Sequence, residues 1–371
     1  MTFAIVTHVE HYTEQDVVSA YGPYVREMNL WLKHVDSVLI VAPLSKKSAS
    51  QIDLSYSGNI ERIYPIPSIS LVSVGQFLRT VFMLPVIIWQ IFMVMQRADH
   101  IHLRCPGNIG LLGCLVQVFF PKKPKTAKYA GNWDPNSKQP LSYRFQKWFL
   151  SNTFLTRNMQ VLVYGEWPGT SKNIKPFFTA TYPESKIPPI GQKDFEPPFN
   201  FVFAGSLSPG KRPLYAVQLI ERLKLEGYNC QLSVYGDGIK ADEIKAYISK
   251  NNLNDTVHLH GNQTAEVLED AFKESHFMLL PSKSEGWPKV VAESMFWGSI
   301  PMVTSVSCVP WMLDDGNRGI LIEADLDKDV KSIRNILNDI PSLLDMSAAG
   351  QRWSHDYTLD SFEREIVKLL K

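Results

Sequence analysis

The sequence predicts an α/β protein built from two doubly wound, Rossmann-like domains. Three observations carry that expectation. Short β-rich runs alternate with helical stretches almost throughout, which implies βαβ units and parallel sheets with helices on both faces. A proline-rich, aperiodic stretch interrupts the alternation once, after which it restarts. The chain of 371 residues is too long for one ordinary core and comfortable for two.

In the first half, Phe3–Thr7 (FAIVT) and Ser37–Ala42 (SVLIVA) read as buried parallel strands, and His100–Arg104 and Val161–Tyr164 as shorter ones. Helices are expected near Pro23–Lys33, Ser73–Arg97, Asn108–Phe119 and Leu141–Ser151. His8 to Tyr21 reads as a polar loop. The break is Ile187–Asn200, IPPIGQKDFEPPFN. Beyond it, strands are expected at Phe201–Ala204, Gln231–Tyr235, Val257–His260, His276–Leu280 and Pro301–Thr304. Helices are expected at about Arg212–Glu226 and Ala241–Lys250. The expected organisation is a first domain over 1–187, a linker over 188–200, a second domain over 201–352 and a helical tail over 353–371. Leu359–Lys371 is amphipathic, with Phe362, Ile366, Leu369 and Leu370 on one side.

Composition excludes several classes. Hydrophobic residues make up 45% and charged residues 20%, a globular balance. A net charge of +1 argues against a broad nucleic-acid footprint. Four cysteines without a C-x-x-C pair suggest reduced thiols and a cytoplasmic setting. The N-terminus lacks the charged and apolar regions of a secretory signal. Thr80 to Gln96 is uncharged and mostly apolar, near the lower limit for a membrane span, and Pro85 and Gln90 interrupt it. It reads first as a buried helix covering a sheet. Phe119 and Phe120 precede Lys122, Lys123, Lys125 and Lys128, so a peripheral place on the inner face of the membrane is a second reading of the two segments together.

The chemistry concentrates in Pro281–Thr304, PSKSEGWPKVVAESMFWGSIPMVT. An apolar strand ends at Pro281, and a polar loop carries Glu285, Gly286 and Pro288. A helix then starts near Lys289 and stops near Trp297–Gly298. A helix N-terminus at the carboxyl edge of a sheet offers N–H groups and positive dipole to a diphosphate. Glu285 and Glu293 are eight residues apart, about 12 Å on one helix axis, too far for a tight acid/base couple. Two carboxylates so spaced suit separate hydroxyl-bearing parts of one long ligand.

This segment resembles the E-x7-E signature of the retaining glycosyltransferases of family 4, matching at Pro281, Ser282, Glu285, Gly286, Pro288, Val290, Glu293, Gly298 and Pro301. Phe203-Ala204-Gly205 with Lys211, the Val234-Tyr235-Gly236-Asp237-Gly238 turn and Val257–Gly261 resemble further landmarks of that family in order. The resemblance covers about residues 200–325. It implies the GT-B fold, in which the two domains face each other across a cleft, with the nucleotide sugar in the second domain. It implies that Glu285 contacts the donor sugar, Glu293 the ribose and Lys211 the diphosphate. The donor site would include Gly205, Ser206, Arg212, Gly236 and Gly238, and the stretch Gly286, Trp287, Pro288, Val290 and Val291 would cradle the phosphates. The family's arginine after the first glycine is here Ser206, and its glycine after the lysine is Arg212. The tail is expected to pack back on the first domain.

The first half resembles the family in architecture alone. His8, Arg104, Asn132 and Asp134, at strand ends, are its acceptor-side candidates. Expected partners are a UDP- or GDP-sugar and a glycan, lipid-linked or small-molecule acceptor in bacterial surface-glycan assembly, with a membrane surface as a further candidate and no nucleic acid. No cofactor or metal is expected. His258 and His260 share a strand face without a third ligand at suitable spacing, and Asp325-Leu326-Asp327 reads as a helix cap. A nucleotide-sugar epimerase, or a nucleotide-sugar-binding protein without turnover, stays open beside the transferase reading.

Overall fold

The structure is a computed structural model. It describes all residues except 16, 46, 51, 68–73 and 192, and all side chains outside these except those of 74–81. Ser73, the expected start of a helix, and the Thr80 side chain therefore lie outside the description. The chain divides into two compact units, Met1–Phe178 with Phe362–Lys371, and Thr179–Ser361.

The first unit opens with β1 (Thr2–Val6), β2 (His11–Glu14), β3 (Val17–Tyr21), α1 (Gly22–Leu32), β4 (Ser37–Pro43), β5 (Asp53–Ser55) and β6 (Ile60–Ile66). It continues through α2 (Val74–Arg97), β7 (His100–Cys105), α3 (Asn108–Val116), β8 (Lys125–Tyr129), α4 (Leu141–Ser151), β9 (Met159–Tyr164) and β10 (Ile174–Phe177). Seven strands form a parallel sheet in the order β10-β9-β8-β7-β1-β4-β6. Both faces of its central strands are covered, which is why β1 and β4 are continuous apolar runs rather than alternating ones.

The second unit contains β11 (Phe199–Ala204), α5 (Pro213–Leu225), β12 (Cys230–Tyr235), α6 (Ala241–Lys250), β13 (Val257–Gly261), α7 (Ala265–Glu274), β14 (Phe277–Leu280) and α8 (Lys289–Phe296). Then come β15 (Ile300–Thr304), α9 (Val309–Met312), β16 (Ile320–Ile322), α10 (Leu326–Leu337) and α11 (Ile340–Ser354). Its parallel sheet runs β13-β12-β11-β14-β15-β16. Phe201, Phe203, Leu232, Val234, Phe277 and Leu279 belong to its buried core. The last helix, α12 (Leu359–Leu370), buries Phe362 and Ile366. Phe362 meets Phe177 and Phe178 with ring centroids 5.2 and 5.6 Å apart, and Glu363 accepts from Lys33 and His34.

Three expectations need correction. His8 to Tyr21 is not a loop: β2 and β3 pair antiparallel, and β5 joins them from more than thirty residues away. Such non-local pairing leaves little local periodicity to read. The division between units falls at Phe178/Thr179, before the proline-rich segment. That segment is strapped to the second unit instead. Lys193 donates to the carbonyls of Phe272, Lys273 and Ser275, and Phe195 is buried against His276 and Phe277. Finally, residues 353–361 count with the second unit, so only the last ten residues of the expected tail belong with the first. Asp325 does cap a helix, accepting from Lys328 N at 3.3 Å, as its position suggests.

Candidate functional site

Strand order decides where each sheet can hold a ligand. In the second unit the chain steps outward from β11 to β12 and β13, then returns to place β14 on the other side of β11. The loops after β11 and β14 therefore diverge at a topological switch point, where open α/β sheets bind ligands. These loops are Gly205–Arg212 and Pro281–Pro288, the two that carry the sequence candidates.

Backbone contacts hold them in register. Gly205 N donates to Tyr235 O at 2.9 Å, Leu207 N to Asp237 O at 2.9 Å, and Gly236 N to Gly261 O at 2.8 Å. Lys283 N donates to Gly210 O at 2.8 Å, joining the loops on either side of the switch point. Gly236 is required here: its φ is +132°, and a Cβ would meet Gly205 O at 2.0 Å. Gly238 is equally confined, with a Cβ placed 2.7 Å from Leu207 O. Gly236→Ala must therefore push the β11 loop away. The expected result is loss of nucleotide binding and a lower melting temperature, read by titrating nucleoside diphosphate against thermal unfolding; wild-type affinity in this variant would contradict the packing.

Lys211 Nζ lies 2.5 Å from Glu285 Oε1, and the two side chains are 27% and 9% exposed. The sequence motifs place both residues in one expected site without specifying their contact; the fold makes them partners across the switch point. Arg212, expected in the donor site, sits in a left-handed conformation before α5 and donates to Pro281 O at 3.3 Å. It braces the second loop. Ser206 is exposed and its hydroxyl lies 3.2 Å from that of Ser208.

Helix α8 begins at Lys289 behind Pro288 and ends before Trp297, as its sequence suggests. Val291 N already bonds to Pro288 O at 2.9 Å, so of the stretch expected to cradle phosphates this N–H is engaged within the chain. Val291 is buried and Val290 half-buried. Gly286 O accepts from Ser307 Oγ at 3.2 Å and Cys308 Sγ at 3.1 Å, which aims that peptide. Trp287 is buried in a group with Trp311, Trp353 and Tyr357 at centroid distances of 6.2, 6.0 and 5.7 Å. Sequence reasoning missed this group, because its members come from three segments that converge only after folding.

Glu293, one helical turn into α8, accepts from Thr181 Oγ1 at 2.6 Å. Thr181 was also missed. Burial raises the pKa of Glu293, with Thr181 and then Lys289 opposing the rise. A folded-state pKa above the unfolded one means that stability is present below pH 4.5 and lost as the carboxyl ionises. Glu293→Gln should raise the melting temperature by a few degrees at neutral pH, with the gain closing below about pH 4.5. A gain that persists at low pH would point to packing, not charge.

The first unit has its own switch point between β1 and β7. His8 follows β1 and Arg104 lies near the end of β7. They are electrostatic neighbours: partial desolvation first, then Arg104, lowers the pKa of His8. A Cβ on Gly107 would meet His8 Nδ1 at 3.0 Å, so the turn into α3 also reaches this point. Arg104 and Lys128 both contact Glu27, at 3.3 and 3.2 Å, in a buried cluster. Asn132 and Asp134 stand on the next strand's exit and shape its turn. Asn132 Oδ1 accepts from Asp134 N, and Asp134 Oδ1 from Asn136 N, each at 2.8 Å.

Among the described residues no group of three or more His, Cys, Asp or Glu is placed to hold a metal ion. His260 stacks on Tyr235 at 4.5 Å.

Residues 190–353 match the family described as Glycosyl transferases group 1, and the match falls within the second unit. An uncharacterized glycosyltransferase of Methanocaldococcus jannaschii is 27% identical over 162 residues, 43% of this chain and 44% of that relative. The chain thus matches less than half the length of this curated relative. The fold is similar to that of sucrose-phosphate synthase from Thermosynechococcus elongatus, with a TM-score of 0.65 and 14% identity over 100% of this chain and 98% of that one. It is also similar to that of Anabaena HepE in complex with UDP and glucose, with a TM-score of 0.66 and 12% identity over 100% and 99%. The fold is GT-B, with two parallel-sheet α/β domains.

Proposed function

We propose that this chain is a retaining glycosyltransferase that moves a sugar from a UDP- or GDP-sugar, bound by the second unit, to an acceptor hydroxyl. The observation that carries the reading is the Lys211–Glu285 pair at the second sheet's switch point, beside the start of α8. Lys211 is poised to exchange its carboxylate partner for the diphosphate, where negative charge grows as the donor breaks. Glu285, released, accepts hydrogen bonds from sugar hydroxyls, and Glu293 takes the ribose. The bond from the anomeric carbon to the diphosphate breaks, and the acceptor oxygen bonds to that carbon on the same face. The acceptor's proton passes to the departing phosphate oxygen. No protein nucleophile is required, and Lys211 with the loop N–H groups supplies the positive charge.

The family match over 190–353 and the likeness to a structure holding UDP and glucose support a nucleotide-sugar donor. We assign acceptor binding to the first unit, at His8 and Arg104. A glycan, lipid-linked or small-molecule hydroxyl in bacterial surface-glycan assembly is the acceptor class in this reading. The test is incubation with a panel of UDP- and GDP-sugars and acceptors, with the new linkage read by NMR. Transfer with the donor's anomeric configuration, undiminished by EDTA, is expected. An inverted product would overturn retention. Isomerised donor would establish an epimerase, and a melting shift with donor left intact would establish a binding protein.

A further inference from the structure

We propose that the outer face of α2, the 3-10 turn Gln117–Phe119 and α4 docks this chain on a membrane surface that carries anionic lipid. The inference concerns the first unit alone and does not depend on the transfer reaction.

Helix α2 is two-faced. Ile87, Ile91, Val94 and Met95 are buried, whereas Phe82 and Trp89 are 79% and 62% exposed. The neighbouring elements continue the same surface. Helix α3 contacts both α2 and α4. Phe119 is 72% exposed, and Phe92 bridges it to Trp89 with ring centroids 6.2 and 6.1 Å apart. On α4, Leu141 and Trp148 are 78% and 57% exposed, and Phe154 follows at 69%. Scattered exposed apolar side chains are ordinary; large aromatic ones gathered on three adjacent helices mark an interaction surface.

Charge selects the occupant. Residues 74–158 contain eleven lysines and arginines but only two acids, Asp99 and Asp134. The whole chain has 38 and 37, which leaves 27 cations and 35 acids elsewhere. Of these cations Lys125 and Lys128 are buried and Arg104 is held by Glu27, so the positive charge of this surface comes from those that remain exposed. Lys122, Arg144 and Arg157 are exposed within this stretch, and the Arg157 guanidinium lies 4.5 Å from the Phe154 ring centre. Of the two acids, Asp99 accepts from Thr2 N and Asp134 is engaged in its own turn. Aromatic rings with lysine and arginine beside them suit the headgroup layer: rings enter the acyl boundary while cations meet lipid phosphate. No described helix is long and apolar enough to cross a membrane, so the surface lies on the bilayer.

The test is co-sedimentation of the full chain with phosphatidylcholine vesicles, with and without phosphatidylglycerol. Binding to the anionic vesicles that weakens with salt is expected, with little binding to the neutral ones. Trp89→Ser with Phe119→Ser should reduce partitioning by about tenfold or more. Lys122→Glu with Arg157→Glu should reduce it by about fivefold or more per charge. These side chains are exposed, so melting temperatures should hold, and the charge pair gives an independent check if the aromatic pair misfolds. Absence of binding to anionic vesicles at low salt would overturn the proposal. So would wild-type partitioning in both variants, or a wild-type dimer that the aromatic variant converts to monomer without change in lipid binding.

Discussion

Lys211→Ala should lower the rate of sugar transfer by about 10²–10³-fold, the usual cost of removing one pre-placed group from a developing negative charge. The expected loss is in kcat, because the lysine gains most when the diphosphate departs. Glu285→Gln should also lower kcat, since it keeps the shape and loses the charged acceptor. Glu293→Ala should act differently and weaken nucleotide binding, raising the donor KM. The single variants of the ion pair require a folding control. Removing Lys211 leaves a carboxylate 9% exposed without its closest cation, and breaking such a pair destabilises more than the pair itself stabilises. Lys211→Ala with Glu285→Gln removes both charges, so stability recovers while activity stays lost. Wild-type turnover in Lys211→Ala would end the site assignment, and equal kinetics in Glu285→Gln and Glu293→Ala would end the division of labour.

Acidification from pH 7 toward pH 4 should open the first unit early. Burial lowers the pKa values of His11 and His100 to about 4 and of His102 to about 3, from 6.5. His11 Nδ1 faces Val9 O at 2.8 Å and must carry the proton, so Nε2 accepts from Tyr56 OH at 2.8 Å. His100 and His102 share the Thr126 hydroxyl, at 3.0 and 2.9 Å, between β7 and β8. Each is neutral in the folded state and charged in the unfolded state below pH 6.5. Stability is therefore present above 6.5 and lost as pH falls toward the folded values, at roughly 3 kcal/mol per histidine. Trp31 lies 4.9 Å from the His102 ring, so its indole packs directly on the titrating group. His102→Gln should flatten this limb. Amide exchange in β1, β7 and β8 that is unchanged between pH 7 and 4 would disprove the account.

By itself the sequence determined the α/β class, the strands at the centre of each sheet and the limits of α8, and it offered Glu285, Glu293 and Lys211 as one donor site. These were legible because they are local. Buried parallel strands are continuous apolar runs, helix ends carry proline and glycine, and the E-x7-E segment lies within one loop and one helix. Tertiary structure alone decided the rest. The pairing of β3 with β5, the strapping of 188–200 by Lys193, the Thr181 bond to Glu293 and the aromatic group around Trp287 all join residues distant in sequence. Arg212 shows the difference at one residue: its position in the sequence placed it among the donor-site candidates, and only the fold shows its left-handed backbone and its bond to Pro281 O. Composition could count the aromatics and lysines. Only the packing of α2 beside α3 and α4 could bring them onto one surface, because the side of a helix left facing water is chosen by what covers its other side.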